Sequence, residues 1–147
     1  MRILITGAAG AVGTTLIKSM VDRHEIRGLD RVETPGLDDV VVGDITDFDT
    51  VEQATRYMDA VIHLVNAGAE WEQALQSMIG TYNVFESAHR NNVRRVAFAS
   101  RAGLLPQSYY PRTMQRTVDM LPKPESYYTI TKSFGKDMGY MYASQFA

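Results

Sequence analysis

The chain has no cysteine among its 147 residues. Disulfides, thiolate nucleophiles and zinc–thiolate centres are therefore excluded. Charge of one sign is also scarce: 15 Lys and Arg against 17 Asp and Glu leave a net −2. No basic field exists to attract nucleic acid or an anionic membrane surface. Long apolar runs are missing, and the longest are strand-sized, so no bilayer span is expected. Glycine interrupts the N-terminal run too early for a signal peptide, so a cytoplasmic location is expected. His24, His63 and His89 are scattered without metal-ligand spacing, so no metal site is expected. Of these, His63 lies within an apolar run and reads as a packed core residue. There is no internal repeat and no low-complexity tract.

What is present is an ordinary globular composition, 45% apolar and 22% charged, fitting a single domain over residues 1–147. Strand and helix patterns alternate along it. "RILIT" (2–6), "EIRGLD" (25–30), "DDVVVGD" (38–44), "AVIHLV" (60–65) and "RRVAFAS" (94–100) read as strands. Helical spacing covers 11–22, with Val12, Leu16 and Met20. A Thr50/Gln53 capping box predicts a helix to about Met58. A long helix is expected over 70–90 with Leu75, Ile79, Val84 and Phe85 inward. A last helix runs from about Ser126, where Met138 and Met141 suggest packing. Residues 101–123 hold three prolines and no clean period, so they read as a loop. Arg94 and Arg95 read as a solvated strand end. Strands separated by helices imply right-handed crossovers and a parallel sheet covered on both faces, the doubly wound α/β class. In such a sheet ligands sit beyond the carboxyl ends of the strands, where strand order reverses.

The stretch "ITGAAGAVGTT" (5–15) lies at such a strand end. Gly7 allows a tight turn after the first strand. Gly10 leaves the backbone bare for a pyrophosphate, and Gly13 lets the following helix pack closely. The helix N-terminus adds free N–H groups and a partial positive charge, which suit a diphosphate. Asp30, seventeen positions after Gly13 and at the end of the second strand, can accept hydrogen bonds from both ribose hydroxyls of an adenosine. Its charge would repel a 2′-phosphate, favouring NAD over NADP, although Arg31 beside it could attract a phosphate instead.

These signs, with "GDITD" after strand three, "HLVNAG" after strand four and "YYTITK" opening the last helix, resemble the extended short-chain dehydrogenase/reductase family. That family is also called the NAD-dependent epimerase/dehydratase family. The resemblance covers the whole chain, and "EQALQSMIGTYNVFESA" is most similar to the uronate dehydrogenases. It implies a Rossmann-type sheet of about five strands binding NAD. Ala9, Ala11 and Val12 would complete the glycine loop. Asp44 and Ile45 would lie beside the adenine, and Val65, Asn66 and Ala67 would line the path to the nicotinamide.

Tyr128 and Lys132 are four apart at a helix start and share a face. A nearby ammonium favours a phenolate, which can take a hydroxyl proton while hydride leaves the same carbon. In the family the lysine also bonds the nicotinamide ribose. Tyr127 is off this register. The resemblance further expects a Ser or Thr after strand five, where this chain has Arg101; Ser100, one residue earlier, could serve only through a loop shift. An Asn is expected where Ser77 stands. Arg101 would set a cation beside Tyr128, either to bind an acidic substrate or to fold outward to water.

Family members continue beyond the Tyr–Lys helix, whereas this chain ends at "YASQFA". It is thus expected to be C-terminally truncated and to lack the usual substrate region. The helices around 70–90 and 126–146 are expected to form a homodimer contact. Three readings stay open: an oxidoreductase acting on a sugar or sugar-acid hydroxyl, a non-catalytic dinucleotide-binding module, and a fragment of a longer epimerase/dehydratase.

Overall fold

The computed structural model describes residues 1–65 and 68–146. Five strands form one parallel sheet: β1 (Arg2–Thr6), β2 (Glu25–Asp30), β3 (Val40–Val42), β4 (Ala60–His63) and β5 (Arg95–Phe98). Four helices connect or follow them: α1 (Ala11–Met20), α2 (Phe48–Thr55), α3 (Trp71–Arg90) and α4 (Tyr127–Phe146). The strand order is β3-β2-β1-β4-β5. Chain order therefore reverses between β1 and β4, and the carboxyl ends of those two strands open a crevice there. The doubly wound Rossmann arrangement expected from the sequence is the observed one.

Burial on both faces explains the near-continuous apolar strands. Leu4, Leu29 and Val61 face one layer with Val51, Ala54 and Val84 from α2 and α3. Ile3, Ile5 and Ile26 face the other with Ile17 from α1. Fully burying side chains of this size contributes about 1.5–3 kcal/mol each. Among the described residues, no helix is long and apolar enough to cross a membrane.

Several local expectations need correction. The third, fourth and fifth strands are shorter than the apolar runs, spanning only Val40–Val42, Ala60–His63 and Arg95–Phe98. Helix α2 starts at Phe48 with Asp47 as its cap, accepting from the Asp49 N–H at 3.2 Å. Thr50 lies within the first turn and donates to Asp47 Oδ2 at 2.6 Å, so it supports the cap rather than being it. Val84 and Phe85 are buried as expected, but Leu75 and Ile79 are exposed. The inner face of α3 is built from small residues (Ala74, Ser77, Gly80, Thr81), which let the helix lie close to its neighbours. The larger residues Trp71, Leu75, Ile79 and Tyr82 form an exposed stripe on the opposite side.

Helix α4 packs along α3 and against β5. Tyr142 stacks on Phe85 with centroids 5.7 Å apart and donates its hydroxyl to Glu86 at 2.7 Å. The closest approach is at Gly135, where a Cβ would lie 2.2 Å from Phe98 Cζ. Only a residue without a side chain permits that distance.

Candidate functional site

The crevice between β1 and β4 is a cleft of about 450 Å³. Its floor is the glycine turn. Gly7 has φ +74°, a left-handed conformation that favours glycine, and its N–H closes on Leu29 O at 2.8 Å. Gly13 sits where a Cβ would meet Gly7 O at 2.3 Å, so any side chain would push α1 off the turn. Gly10 is exposed, and a Cβ there would find only Gly7 O, at 3.2 Å. Gly10 also caps α1, with no side chain accepting from the first turn. The leading N–H groups of α1 are therefore left for an anion.

Asp30 is held before any ligand arrives. One carboxylate oxygen accepts from the Ala9 N–H at 3.0 Å and the other from the Arg31 N–H at 2.7 Å. This locks the carboxylate against the glycine turn while it still lines the cleft. Arg31 turns away from it and pairs with Asp44, Nε to Oδ2 at 2.8 Å. Asp44 also accepts from the Thr46 N–H and hydroxyl, both at 2.9 Å. The Thr46 backbone N–H is the main cause holding the Asp44 carboxyl below its usual range, with the Thr46 hydroxyl and the Arg31 guanidinium adding to it. Burial acts in the opposite direction.

Ile45 forms one wall of the cleft and is itself buried. Two features of α3 fix it. A Cβ at Gly80 would lie 2.1 Å from Ile45 Cδ1, and the Asn83 side-chain amide donates to Ile45 O at 2.9 Å. Val65 and Leu64 line the far side. Of the expected cofactor residues, Gly7, Gly10, Asp30, Arg31, Ile45 and Val65 meet at this cleft. Ala9 acts through its N–H on Asp30, while Ala11 and Val12 are exposed in the first turn of α1. Asp44 stands beside the cleft through its pair with Arg31. Asn66 and Ala67 lie outside the described residues. Sequence reasoning missed Thr46, Gln73 and Gln76 as cleft residues, and Ser77, which stands where the resemblance expects an Asn, lines the cleft as well.

Tyr128 and Lys132 stand at the start of α4. Their placement on one face is visible in the 5.7 Å between Lys132 Nζ and the Tyr128 ring centroid. Lys132 is only 4% exposed, and its ammonium also lies 4.9 Å from the Phe98 ring centroid. Burial lowers its pKa from the ordinary lysine value. Thr129 secures this helix start by bonding the Glu125 and Ser126 N–H groups at 3.0 and 2.9 Å. Tyr127, off the register, is exposed with its ring 5.6 Å from Trp71. Ser100 is exposed and lines a groove bounded by Phe98, Gly135 and Tyr142. The residue over the Tyr128 ring is Arg101, its Cζ 5.1 Å from the centroid. His63, beneath this region, is buried with Nδ1 2.6 Å from Thr6 Oγ1 and Nε2 3.2 Å from Thr81 Oγ1.

A bare glycine turn feeding a helix N-terminus, with a locked carboxylate at the next strand end, defines a Rossmann-type nucleotide fold. The sequence places the chain more closely. Residues 3–147 match the NAD dependent epimerase/dehydratase family, and the chain belongs to it. It is 32% identical to the L-arabinose 1-dehydrogenase (NAD(P)(+)) of Haloferax volcanii, over 98% of this chain and 62% of that protein. It is also 32% identical to the uronate dehydrogenase of Pseudomonas syringae pv. tomato, over 99% of this chain and 55% of that protein. Among solved structures, a mutant uronate dehydrogenase of Agrobacterium tumefaciens complexed with NAD superposes with a TM-score of 0.89 at 30% identity. That match covers 99% of this chain and 57% of the other. The chain thus spans somewhat more than half the length of these relatives.

Proposed function

We propose that the protein binds NAD in the β1–β4 crevice and oxidises a hydroxyl group of a sugar or sugar acid. The observation that carries this reading is the cleft itself. Gly10 leaves main chain exposed at a helix start without a side-chain cap, and Asp30, fastened to the Ala9 N–H of the same turn, lines the same cleft. The diphosphate would rest on the first-turn N–H groups of α1. Asp30 would accept from the adenosine ribose, and Ile45 would pack against the adenine. Arg31 is drawn to Asp44, and the Asp30 charge faces the position a 2′-phosphate would take, so NAD is favoured over NADP.

When bound, NAD supplies the hydride acceptor. Tyr128 is the proposed base and takes the proton of the substrate hydroxyl. Lys132 holds positive charge beside it and would hydrogen-bond the nicotinamide ribose. Ser100 is the remaining catalytic candidate, and it would need a different loop path to reach the substrate hydroxyl. The resemblance to uronate dehydrogenases over nearly the whole of this chain supports a sugar-acid substrate.

The test joins calorimetry with NAD to NADH production from glucuronate and galacturonate. Tyr128→Phe should retain NAD affinity and lose at least about a hundredfold in turnover, the scale of a missing general base. Full turnover by that variant would remove the base assignment. NAD binding with no turnover on any sugar or sugar acid would instead favour a dinucleotide-binding module, a reading prompted by Arg101 and Ser77. No binding of NAD would overturn both.

A further inference from the structure

The surroundings of Tyr128 hold more positive charge than a neutral substrate needs. After β5 the backbone stays extended through Arg101, at φ −147° and ψ 140°, and then enters the turn Ala102–Leu104. The Arg101 side chain folds back across that turn. A Cβ on Gly103 would sit 2.8 Å from Arg101 Nε and 3.2 Å from its Cδ, so the missing side chain at 103 makes room for it. The guanidinium is thereby laid over the Tyr128 ring, 5.1 Å from its centroid, while Lys132 Nζ stands 5.7 Å from the same centroid.

Neither cation has an acidic partner among the described residues. Those ion pairs join Arg2 to Asp59, Arg27 to Asp39, Arg31 to Asp44, and Arg56 and Arg90 to Glu52 and Glu86. Glu125, three residues before Tyr128, accepts from the Ser108 hydroxyl instead. A chain with net charge −2 thus concentrates two uncompensated cations around one phenol. Lys132 is buried, with its ammonium near the Phe98 and Tyr128 rings, whereas Arg101 is exposed and presents a planar fork of donors. That fork matches a carboxylate in two parallel hydrogen bonds and has no comparable partner in a neutral hydroxyl.

We propose that Arg101 is the specificity-determining residue of this site, binding the carboxylate of an anionic sugar whose hydroxyl is presented to Tyr128. This rests on the oxidoreductase reading above and deepens it: the substrate class is the sugar acid, and the neutral aldose is disfavoured. Arg101 stands where a Ser or Thr was expected, so here a charge contact occupies the place of a hydroxyl.

The experiment titrates galacturonate and galactose into the full chain, with and without saturating NAD, at low and high salt. Binding is followed by calorimetry or by chemical shifts. The wild-type protein should bind galacturonate about tenfold or more tightly than galactose, a gap that narrows with salt. Arg101→Gln should erase that gap and leave galactose unchanged, and Arg101→Lys should recover part of it. The proposal is overturned if the wild type binds both sugars alike or binds neither. It is equally overturned if Arg101→Gln keeps the preference or weakens both sugars equally. Arg101 is exposed, so an unchanged melting temperature checks that the variants fold. Failure of NAD to bind in the same titrations counts against the oxidoreductase reading alone, because the carboxylate preference is also read without cofactor.

Discussion

His63 adds its own contribution to the pH dependence of stability. Its side chain is 1% exposed, between the Thr6 and Thr81 hydroxyls and 5.7 Å from the Phe98 ring centroid. Burial, helped by the positive charge of Lys132, pushes its pKa down from 6.5 to about 3. An unfolded chain therefore takes up a proton on His63 near pH 6.5, while the folded chain resists until about 3. Between those values the unfolded state binds more protons, so stability rises with pH. The contribution is complete well above pH 6.5 and is lost progressively as pH falls toward 3. At about pH 5.5 the unfolded histidine is protonated roughly ten to one, which costs about 1.4 kcal/mol relative to pH 8. Urea unfolding at about pH 8 and 5.5 measures this. His63→Gln retains a side chain that can bond both threonines and removes the titration. The wild type should lose about 1.4 kcal/mol more than His63→Gln between the two pH values. Equal losses would refute the claim that burial keeps this imidazole neutral.

Other substitutions test the cleft and the seating of α4. Asp30→Ala removes two accepting oxygens, and NAD affinity should fall by roughly tenfold or more while the ratio of NAD to NADP affinity collapses, read by calorimetry with both nucleotides. An unchanged ratio would mean that Asp30 does not select the cofactor. Gly135→Ala should destabilise relative to Gly139→Ala by about 1–3 kcal/mol in thermal or urea unfolding. Both changes gain the same helix propensity, but the new Cβ at 135 meets Phe98 at 2.2 Å, whereas the one at 139 meets Phe85 only at 3.3 Å. Equal effects would show that α4 can shift freely on β5.

The sequence carried the strands and helices because their signals are local. An apolar run ended by glycine gave β1, and the spacing from Gly13 to Asp30 at the end of β2 gave the acid that the structure fastens to Ala9. Signals that depend on packing partners were harder to see. Leu75 and Ile79 looked inward because periodicity favours large side chains, yet α3 buries its small ones. Asp47 and Thr50 are both good capping residues, and only the hydrogen bonds show which one ends the chain's extended path. Thr46, Gln73 and Gln76 reach the cleft from segments far apart in sequence, and no motif joins them. Gly80 held a usable clue, since a glycine inside a long helix calls for a close neighbour, here Ile45.

Phe98 touches His63, Phe85, Lys132 and the gap left by Gly135. One aromatic ring is thus the spacer between the sheet and the helix that bears the Tyr–Lys pair. Resizing that ring, together with Gly135, would raise or lower the whole pair over the crevice without altering a residue in it. The reach of the chemistry can therefore be retuned from below, by a shim rather than by a redesign of the groove.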